Sequence, residues 1–305
     1  MAHEAGNADL AAQLGDHTSG SDLTSLLLDV ADRQASRRSA SDVLRQYERD
    51  RFTRPAAVAP ATLLSTTATV AGSVGTNFDF VELAPLVPLG THSVIAGVAQ
   101  NRVVSTVRAT EVAADPTNAL ALEAAVRRRA QLREDPRSIT TVRLAAANRV
   151  VRAQAFDGPR SYAHFMLLGM VSAGRDVGSG TFERTELVRH IGALLAACRA
   201  CKLRRFEVRV TDLDGSRPEA IEHVRAELAG DGVGVTEWPE RQGGRGYYDS
   251  LCFKIDVLHD GEWVEVADGG DTAWTQRLLG NRKERLVISG LGLERLASLA
   301  TAPRP

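Results

Sequence analysis

Apolar residues follow two different spacings along the chain, and together these spacings predict a sheet flanked by helices. Runs of strand length, rich in valine, isoleucine and leucine, recur between polar or glycine-containing breaks. Other segments place apolar residues three and four positions apart, which is typical of amphipathic helices. The predicted strands cover residues 78–88, 100–107, 140–154, 164–174, 204–213, 247–258, 262–269 and 286–292. The predicted helices cover residues 115–132, 183–202 and 217–228, with a last one after residue 292.

The order of these elements indicates one α+β domain preceded by an extension. The runs at 140–154 and 164–174 flank the polar sequence "AFDGPRSYA", and this arrangement predicts a β-hairpin. Strands and helices mix along the rest of the chain, so we expect an antiparallel sheet flanked by helices. Residues 1–55 are poor in aromatic residues and end in a basic stretch, so we expect a partly helical or flexible N-terminal extension there and the core at 56–305.

The segment "LVISGLGLERL" at 286–296 contains two glycines, which have no side chain, within a predicted strand. Gly290 and Gly292 lie two positions apart, so both leave the same face of the strand bare, while Leu291 and Leu293 fill the other face. A nucleotide could lie against the bare face, beside Arg295 on the first turn of the next helix. The alternative is a strand thinned by glycine under a packed helix, with Arg295 on the surface.

Charge and composition exclude several classes of protein. The 305-residue chain has 37 Lys and Arg against 38 Asp and Glu, a formal net charge of -1, which provides no overall field for nucleic acid or an anionic membrane. No apolar run is long enough to span a bilayer, and the first residues lack the basic and apolar regions of a signal peptide. Three cysteines are an odd number that fits a reducing compartment, so we expect a cytoplasmic protein.

Cysteine and histidine form no metal or nucleophile motif in the sequence. Cys198 and Cys201 form a CxxC pair, but Cys198 continues the apolar face of the helix predicted at 183–202, so we expect it in the core. The sequence has no second pair of this kind, and the HExxH, GxSxG and GxxxxGK[ST] patterns do not occur. We therefore expect no metal ion ligated by these side chains.

Five segments, taken in order, resemble the catalytic core of class II aminoacyl-tRNA synthetases, most closely histidyl-tRNA synthetase and its paralogues. "VELAPLVP" is similar to the first motif, whose proline would be Pro85, and "DPTNALAL" to the segment that contacts the amino acid. "VVRAQ" and "RSYAHF" resemble the second motif, "GRGYYDSLCFKI" the double-tyrosine strand, and "SGLGLERL" the third motif. The match covers about residues 75–300, and it depends on the order and spacing of the motifs.

The resemblance implies an ATP site, an amino-acid site and a homodimer formed through the first motif. Arg152 and Arg295 would be the catalytic residues, because a guanidinium can hold two phosphate oxygens while negative charge grows on them. Mg²⁺ would bridge the phosphates of ATP. The implied ATP-binding residues are Arg152, Gln154, Arg160, Phe165, Gly290, Gly292 and Arg295. The implied amino-acid-binding residues are Asp115, Thr117, Leu167, Val171, Tyr247 and Tyr248.

Three departures from the family pattern change the expected substrate. Gln154 replaces an acid two residues after the motif arginine, which leaves a weaker, uncharged acceptor for the amino group of the nucleotide. Leu167 and Val171 replace the Gln and Glu that hold imidazole in the histidine enzymes, so a buried imidazole would lose about 1–3 kcal/mol per missing partner. Gly243 replaces an arginine whose role the flanking Arg241 or Arg245 could take over.

These features predict a synthetase-like ligase that activates a small amino acid other than histidine with ATP, as an aminoacyl adenylate for a non-cognate acceptor. Ten residues follow Arg295, where a histidyl-tRNA synthetase would continue into an anticodon-binding domain, so we expect no cognate tRNA charging. Two alternatives stay open: a non-catalytic regulatory subunit of ATP phosphoribosyltransferase that resembles histidyl-tRNA synthetase, and a dimeric scaffold. The loss of both imidazole partners argues against a histidine sensor, whereas the two arginines favour the use of ATP.

Overall fold

A mixed eight-stranded sheet organises the molecule. The computed structural model describes residues 9–153, 163–229 and 232–301. The strands in chain order are β1 (Asp79–Phe80), β2 (Leu86–Pro88), β3 (Thr110–Val112), β4 (Val142–Val151), β5 (His164–Arg175), β6 (Phe206–Asp212), β7 (Gly234–Glu237), β8 (Leu251–His259), β9 (Glu262–Thr272) and β10 (Glu284–Gly292). β2 and β3 form a separate ribbon, and the others form the large sheet in the order β1-β4-β5-β10-β9-β8-β6-β7.

Helices precede the sheet in sequence and connect its strands. They are α1 (Leu10–Asp16), α2 (Gly20–Ser36), α3 (Ala40–Arg49), α4 (Pro60–Val74), α5 (Pro116–Glu134), α6 (Thr181–Ala200), α7 (Pro218–Glu227), α8 (Trp274–Leu279) and α9 (Leu293–Thr301). A π-helical turn at Thr91–Ile95 and a 3₁₀ turn at Gln100–Arg102 lie between β2 and β3. The four helices predicted from the sequence are confirmed as α5, α6, α7 and α9.

The six central strands pair antiparallel, whereas the two edge strands pair parallel to their neighbours. β4 and β5 form the predicted hairpin, with pairs that run from Val142–Ala173 to Val151–His164. β1 is parallel to β4, and β7 is parallel to β6. The connection from β6 to β7 contains α7, and the connection from β1 to β4 contains α5, so each edge pair has the long crossover that parallel strands require. The α+β prediction is confirmed, but the sheet is mixed rather than wholly antiparallel.

Helices cover both faces of the sheet and divide the apolar core in two. On one face α4, α6, α7 and α9 pack on the strands, and on the other face α5 and α8 do so. The alternation of side chains on β5 shows this division, since Leu168 and Met170 belong to the first core and Val171 and Ala173 to the second. Cys198 is fully buried on α6, as its spacing predicted.

The strand prediction is wrong for 100–107 and only partly right for 78–88. In the first segment Gln100–Arg102 is a 3₁₀ turn, and Ser105 keeps one isolated bridge to Glu111. The chain reverses shortly afterwards, where the hydroxyls of Thr106 and Thr110 lie 2.6 Å apart. The second segment is split into β1 and β2, because a proline such as the one at position 85 cannot donate to a sheet ladder.

The N-terminal extension is helical over most of residues 10–49. α1, α2 and α3 contain no buried residue, whereas α4 buries Leu63, Val70 and Val74 and packs on α6 and α9. Ser19 and Ser39 cap α2 and α3, since each side chain accepts a hydrogen bond from a backbone N–H of the first turn. The boundary between extension and core stays a prediction. Within the described ranges, no helix combines the length and apolar character needed to cross a membrane.

Candidate functional site

A cavity of about 1140 Å³ lies beside the N-terminus of α5 and the bare face of β10. Ligand pockets commonly measure about 300–1,000 Å³, so this cavity is slightly larger than a common ligand pocket. It brings together most of the site residues predicted from sequence. Those that line it are Asp115, Thr117, Arg152, Phe165, Leu167, Tyr247, Tyr248, Gly290, Gly292 and Arg295.

Among the predicted site residues that the structure describes, Val171 does not join this lining. Val171 points to the same side of β5 as Leu167, but it is fully buried in the core beneath α5. Four residues of strand span about 13 Å, so one side chain reaches the cavity while the other stays under the helix. Gln154 and Arg160 lie outside the described residues.

Asp115 and Arg152 form one polar end of the cavity. Asp115 is the N-cap of α5, and its Oδ1 accepts hydrogen bonds from the Thr117 backbone N–H at 2.9 Å and from the Thr117 hydroxyl at 2.7 Å. Arg152 follows β4, donates from Nε to the Ala114 carbonyl at 3.1 Å and holds Nη2 3.5 Å from Asp115 Oδ2. The Phe165 ring lies 5.1 Å from the guanidinium carbon. Because a guanidinium has five N–H donors, Arg152 keeps several for a ligand.

A buried network fixes the backbone on which Arg152 rests. Glu111 Oε1 accepts from the backbone N–H of His92 at 2.9 Å and lies 2.6 Å from its Nδ1. Since His92 Nε2 accepts from the Ala114 N–H at 2.9 Å, the ring proton belongs on Nδ1. Burial raises the pKa of Glu111, but hydrogen bonds from His92 and Gln100 outweigh it and hold that pKa below its ordinary value. His92 therefore accepts the Ala114 N–H in one fixed tautomer, and this bond holds the residue whose carbonyl accepts from Arg152.

Two tyrosines form the wall next to Asp115. The Tyr247 ring packs edge-on against Tyr248 and Trp274, with centroids 5.1 Å and 5.3 Å apart. The Tyr248 hydroxyl donates to Asp268 Oδ1 at 2.7 Å. Burial raises the pKa of both tyrosines, so their hydroxyls stay protonated and able to donate at neutral pH.

The two arginines that flank Gly243 differ in their surroundings. Arg241 is almost completely buried and donates to the carbonyls of Gly243 and Phe253 at 2.7 Å and 3.1 Å. It also donates to Asp268 Oδ2 at 2.7 Å. Arg245 instead lines the cavity. Arg245 is therefore the flanking arginine that a ligand in the cavity could reach.

The glycines of β10 open onto the cavity, as their spacing predicted. Leu291 and Leu293 are buried in the core on the opposite face. A Cβ atom added at Gly290 or Gly292 would meet its nearest protein atom at 3.6 Å or 3.5 Å, which is ordinary van der Waals contact. The nearby Arg295 donates from Nη1 to the Glu265 carbonyl at 2.6 Å. The bare face therefore adjoins open space and not a packed neighbour.

Structures with a similar fold include histidyl-tRNA synthetases and a related regulatory protein. An ATP phosphoribosyltransferase regulatory subunit/histidyl-tRNA synthetase from Bacillus halodurans C is 14% identical over 83% of this chain and 84% of that chain, with a TM-score of 0.61. The apo histidyl-tRNA synthetase of S. aureus is 15% identical over 80% and 68%, with a TM-score of 0.58. A histidine–tRNA ligase subunit from Alicyclobacillus acidocaldarius is 12% identical over 82% and 97%, with a TM-score of 0.56. Neither a protein-family model nor a curated protein matches the sequence.

The chain has a class II synthetase-like fold. Identities of 12% to 15% show the fold alone, so the roles of individual residues have to be argued from the cavity itself. The resemblance read from the order of motifs is confirmed at this level.

Asn118 and Asp268 are polar residues of the cavity that sequence reasoning missed in this class II synthetase-like fold. Asn118 follows Thr117 on the first turn of α5 and is 1% exposed, and its amide nitrogen has no hydrogen-bond partner within the described ranges. Asp268 lies in a strand between apolar and glycine residues. Both are polar residues in segments predicted to be buried, one at the start of a helix and one within a strand. Because a buried polar group needs a partner, this position is the signal that would have identified both.

A buried histidine joins the wall of the cavity to α6. His190 Nδ1 lies 2.7 Å from the hydroxyl of Ser289, which lines the cavity, and Nε2 lies 3.0 Å from the hydroxyl of Ser172. Burial lowers the pKa of His190 to about 3, so the ring is neutral at physiological pH. This neutral ring ties β5 and β10 together through their serines.

Proposed function

We propose that the chain uses ATP to activate a small amino acid other than histidine as an aminoacyl adenylate, for transfer to a non-cognate acceptor. One observation carries the proposal: an acid–arginine pair and a bare glycine strand followed by a second arginine line the same cavity. Asp115 would receive the ammonium group of the amino acid. Arg152 would bind the α-phosphate, and Arg295 the terminal phosphate or the adenine.

The Asp115–Arg152 pair suits the chemistry of adenylation. An oxygen of the amino-acid carboxylate attacks the α-phosphorus of ATP, the bond to pyrophosphate breaks, and negative charge grows on the phosphoryl oxygens. Arg152 is held by the Ala114 carbonyl before any ligand arrives, so it would stabilise that charge without reorganisation. Asp115 lies beside it, and Oδ2 keeps acceptor capacity for an ammonium group.

The residues present also fit ATP. The bare face of Gly290 and Gly292 is a surface that a Cβ would partly fill, and Arg152, Arg245 and Arg295 supply cations along the same cavity. Within residues 9–153, 163–229 and 232–301, no group of three or more His, Cys, Asp or Glu side chains could hold a metal ion. Mg²⁺ would therefore take most of its ligands from phosphate oxygens and water.

A homodimer through the first motif belongs to the same proposal. β2 and the residues after it expose Leu86, Leu89 and Val94, with exposures of 44%, 51% and 77%. Burial of such side chains against a second copy would stabilise an interface next to the network that supports Arg152. This surface supports the prediction made from "VELAPLVP".

A regulatory subunit of ATP phosphoribosyltransferase is the second candidate. The similarity to the Bacillus halodurans protein, which spans most of both chains, favours it. The apolar side chain of Leu167 in the cavity, where the histidine enzymes carry a polar partner for imidazole, argues against a sensor of histidine. A dimeric scaffold without either activity is the third possibility.

An ATP–pyrophosphate exchange assay with a panel of amino acids distinguishes these functions. Exchange that depends on one amino acid, and that is lost in Arg152→Ala, supports the ligase. Arg175→Ala is the matched control, because Arg175 ends β5 far from the cavity and should not affect exchange. Silence with every amino acid, together with capture of a catalytic phosphoribosyltransferase subunit, supports the regulator.

A further inference from the structure

Asp268 places a carboxylate on the cavity wall at a position that the proposed adenylation does not use. It lies on β9 directly opposite Gly290 of β10, and the missing side chain there leaves space beside it. The Asp268 side chain is 31% exposed, whereas that of its partner Arg241 is 1% exposed. Asp268 lines the cavity and Arg241 does not. The Asp268 carboxylate therefore faces the cavity, whereas the arginine that holds it is buried.

Two donors hold this carboxylate in one orientation. The Tyr248 hydroxyl donates to Oδ1 and the Arg241 guanidinium to Oδ2, each at 2.7 Å. Lys254, which is opposite Asp268 on β8, pairs with Glu265 instead. A carboxylate has about four lone-pair sites, so about two remain for a ligand.

The tyrosine pair connects Asp268 with the proposed site for the ammonium group. Tyr247 packs edge-on against Tyr248, and both rings line the cavity together with Asp115 and Asp268. The Tyr248 ring also carries the hydroxyl that donates to Asp268. An amino acid whose ammonium group binds Asp115 would extend its side chain along these rings toward Asp268.

We infer that Asp268 is a specificity-determining residue that selects amino acids with a hydrogen-bond donor, a hydroxyl or an amine, on the side chain. The inference rests on the proposed amino-acid site at Asp115 and narrows its substrate class. A side chain without a donor would displace water from Asp268 and leave a desolvated acceptor unpaired, which penalises binding. Leu167 by itself would favour a substrate with an apolar side chain. The Asp268 carboxylate in the same cavity favours a side chain with a donor instead.

A purely structural role of Asp268 makes a different prediction. In that case the carboxylate only anchors Arg241 and the segment that carries Tyr248. Its removal would lower stability, because a buried arginine would lose its acid, but the preference among ligands would stay the same.

Isothermal titration calorimetry with free amino acids and no ATP tests the inference separately from catalysis. The probes are pairs of similar shape: serine with 2-aminobutyrate, threonine with valine, and 2,4-diaminobutyrate with norvaline. In at least one pair we expect the donor to bind about 10- to 100-fold more tightly than its apolar match, the range for a hydrogen bond to a charged group. Asp268→Asn keeps the shape and should reduce that ratio to about threefold or less.

Asp271→Asn is the matched control on the same strand. Asp271 accepts hydrogen bonds from Ser250 and from the Leu251 backbone and does not line the cavity, so its change should affect stability and leave the ratio intact. The wild-type ratios need no variant, so they decide the first part of the test even where Asp268→Asn unfolds.

The possible outcomes separate this inference from the proposed function. Tighter binding of the apolar member in every pair, an unchanged ratio in folded Asp268→Asn, or no binding by any of the six compounds would overturn the role of Asp268. Discrimination in binding without pyrophosphate exchange would keep that role and refute adenylation. Pyrophosphate exchange that depends on an apolar amino acid and is unchanged in Asp268→Asn would support adenylation and refute the role of Asp268.

Discussion

Gly292→Ala tests whether the bare face of β10 holds a nucleotide. At this position an added Cβ meets only the Cβ of Arg295, at 3.5 Å, and the backbone is outside the left-handed region. The protein therefore has room for the methyl group. Any large effect of the substitution has to come from a ligand that uses the same space.

The expected magnitudes differ for folding and binding. Where the backbone allows alanine, Gly→Ala changes the free energy of unfolding by about 0.4–1 kcal/mol, in the stabilising direction, because the unfolded chain loses entropy. A ligand pressed against the new methyl group is overpacked, at a cost of about 1–3 kcal/mol. That cost corresponds to an increase of about 5- to 150-fold in the Kd for ATP.

Gly269→Ala is the control, because this glycine of β9 faces the core. Its added Cβ would lie 2.5 Å from a ring carbon of Phe253 and 2.7 Å from the Ile288 carbonyl oxygen. We expect a lower melting temperature from this clash, while the folded fraction keeps its affinity for ATP.

Calorimetric titration with ATP and Mg²⁺, together with thermal unfolding, measures both quantities on each variant. The nucleotide assignment predicts weaker binding without loss of stability for Gly292→Ala and the opposite for Gly269→Ala. A Gly292→Ala protein that melts earlier and binds ATP as the wild type does would refute the reasoning. So would wild-type protein that shows no heat of binding with any candidate amino acid present.

Other predictions concern the arginines, His190 and the homodimer. Arg152→Ala and Arg295→Ala should each lower pyrophosphate exchange by about 10²- to 10³-fold, Arg152→Ala mainly through kcat and Arg295→Ala mainly through the KM for ATP; the reverse division would contradict the two roles. Burial lowers the pKa of His190 from 6.5 to about 3, so below pH 6.5 the unfolded chain binds a proton that the folded chain does not. The free energy of unfolding therefore decreases as the pH decreases. Urea unfolding between pH 6 and pH 5 should therefore give a slope of the free energy of unfolding against pH that is larger in the wild type than in His190→Asn by about 1.4 kcal/mol per pH unit, and equal slopes would show that His190 is not the cause. Val94→Asp, at an exposed apolar position, should convert the proposed homodimer to a monomer in sedimentation, whereas a wild-type monomer at micromolar concentration would exclude the dimer.

Local patterns in the sequence predicted most of the elements and much of the candidate site. Alternation with a period of two identifies β4, β5 and the bare face at Gly290 and Gly292, because successive strand side chains point to opposite faces. The order of motifs predicted the class II synthetase-like fold. It also identified the Asp115–Arg152 pair and the tyrosines, all of which line one cavity. Their roles toward ATP and an amino acid stay predictions.

The two wrong predictions, for Val171 and for residues 100–107, depended on which other segment lies next to the residues. The pattern within one segment does not contain that information. Leu167 and Val171 share a face of β5, so an alignment assigned both to one pocket, but α5 covers only the second of them. Residues 100–107 have the composition of a strand, yet this segment keeps only one isolated bridge in place of a continuous partner. Strand propensity describes a fit to a pleated surface and cannot supply the neighbouring strand.

The sequence by itself determined which side chains face inward, because that depends on a period of two or of 3.6 residues. Only the tertiary structure decided which distant segments meet. β10, from the end of the chain, lies between β5 and β9, and this position puts Gly290 opposite Asp268. Asp268 in turn meets Arg241 and Tyr248 from a separate loop. Hydrophobic burial drives folding but has no direction, so the neighbours are selected by the packing of all elements around two cores at once.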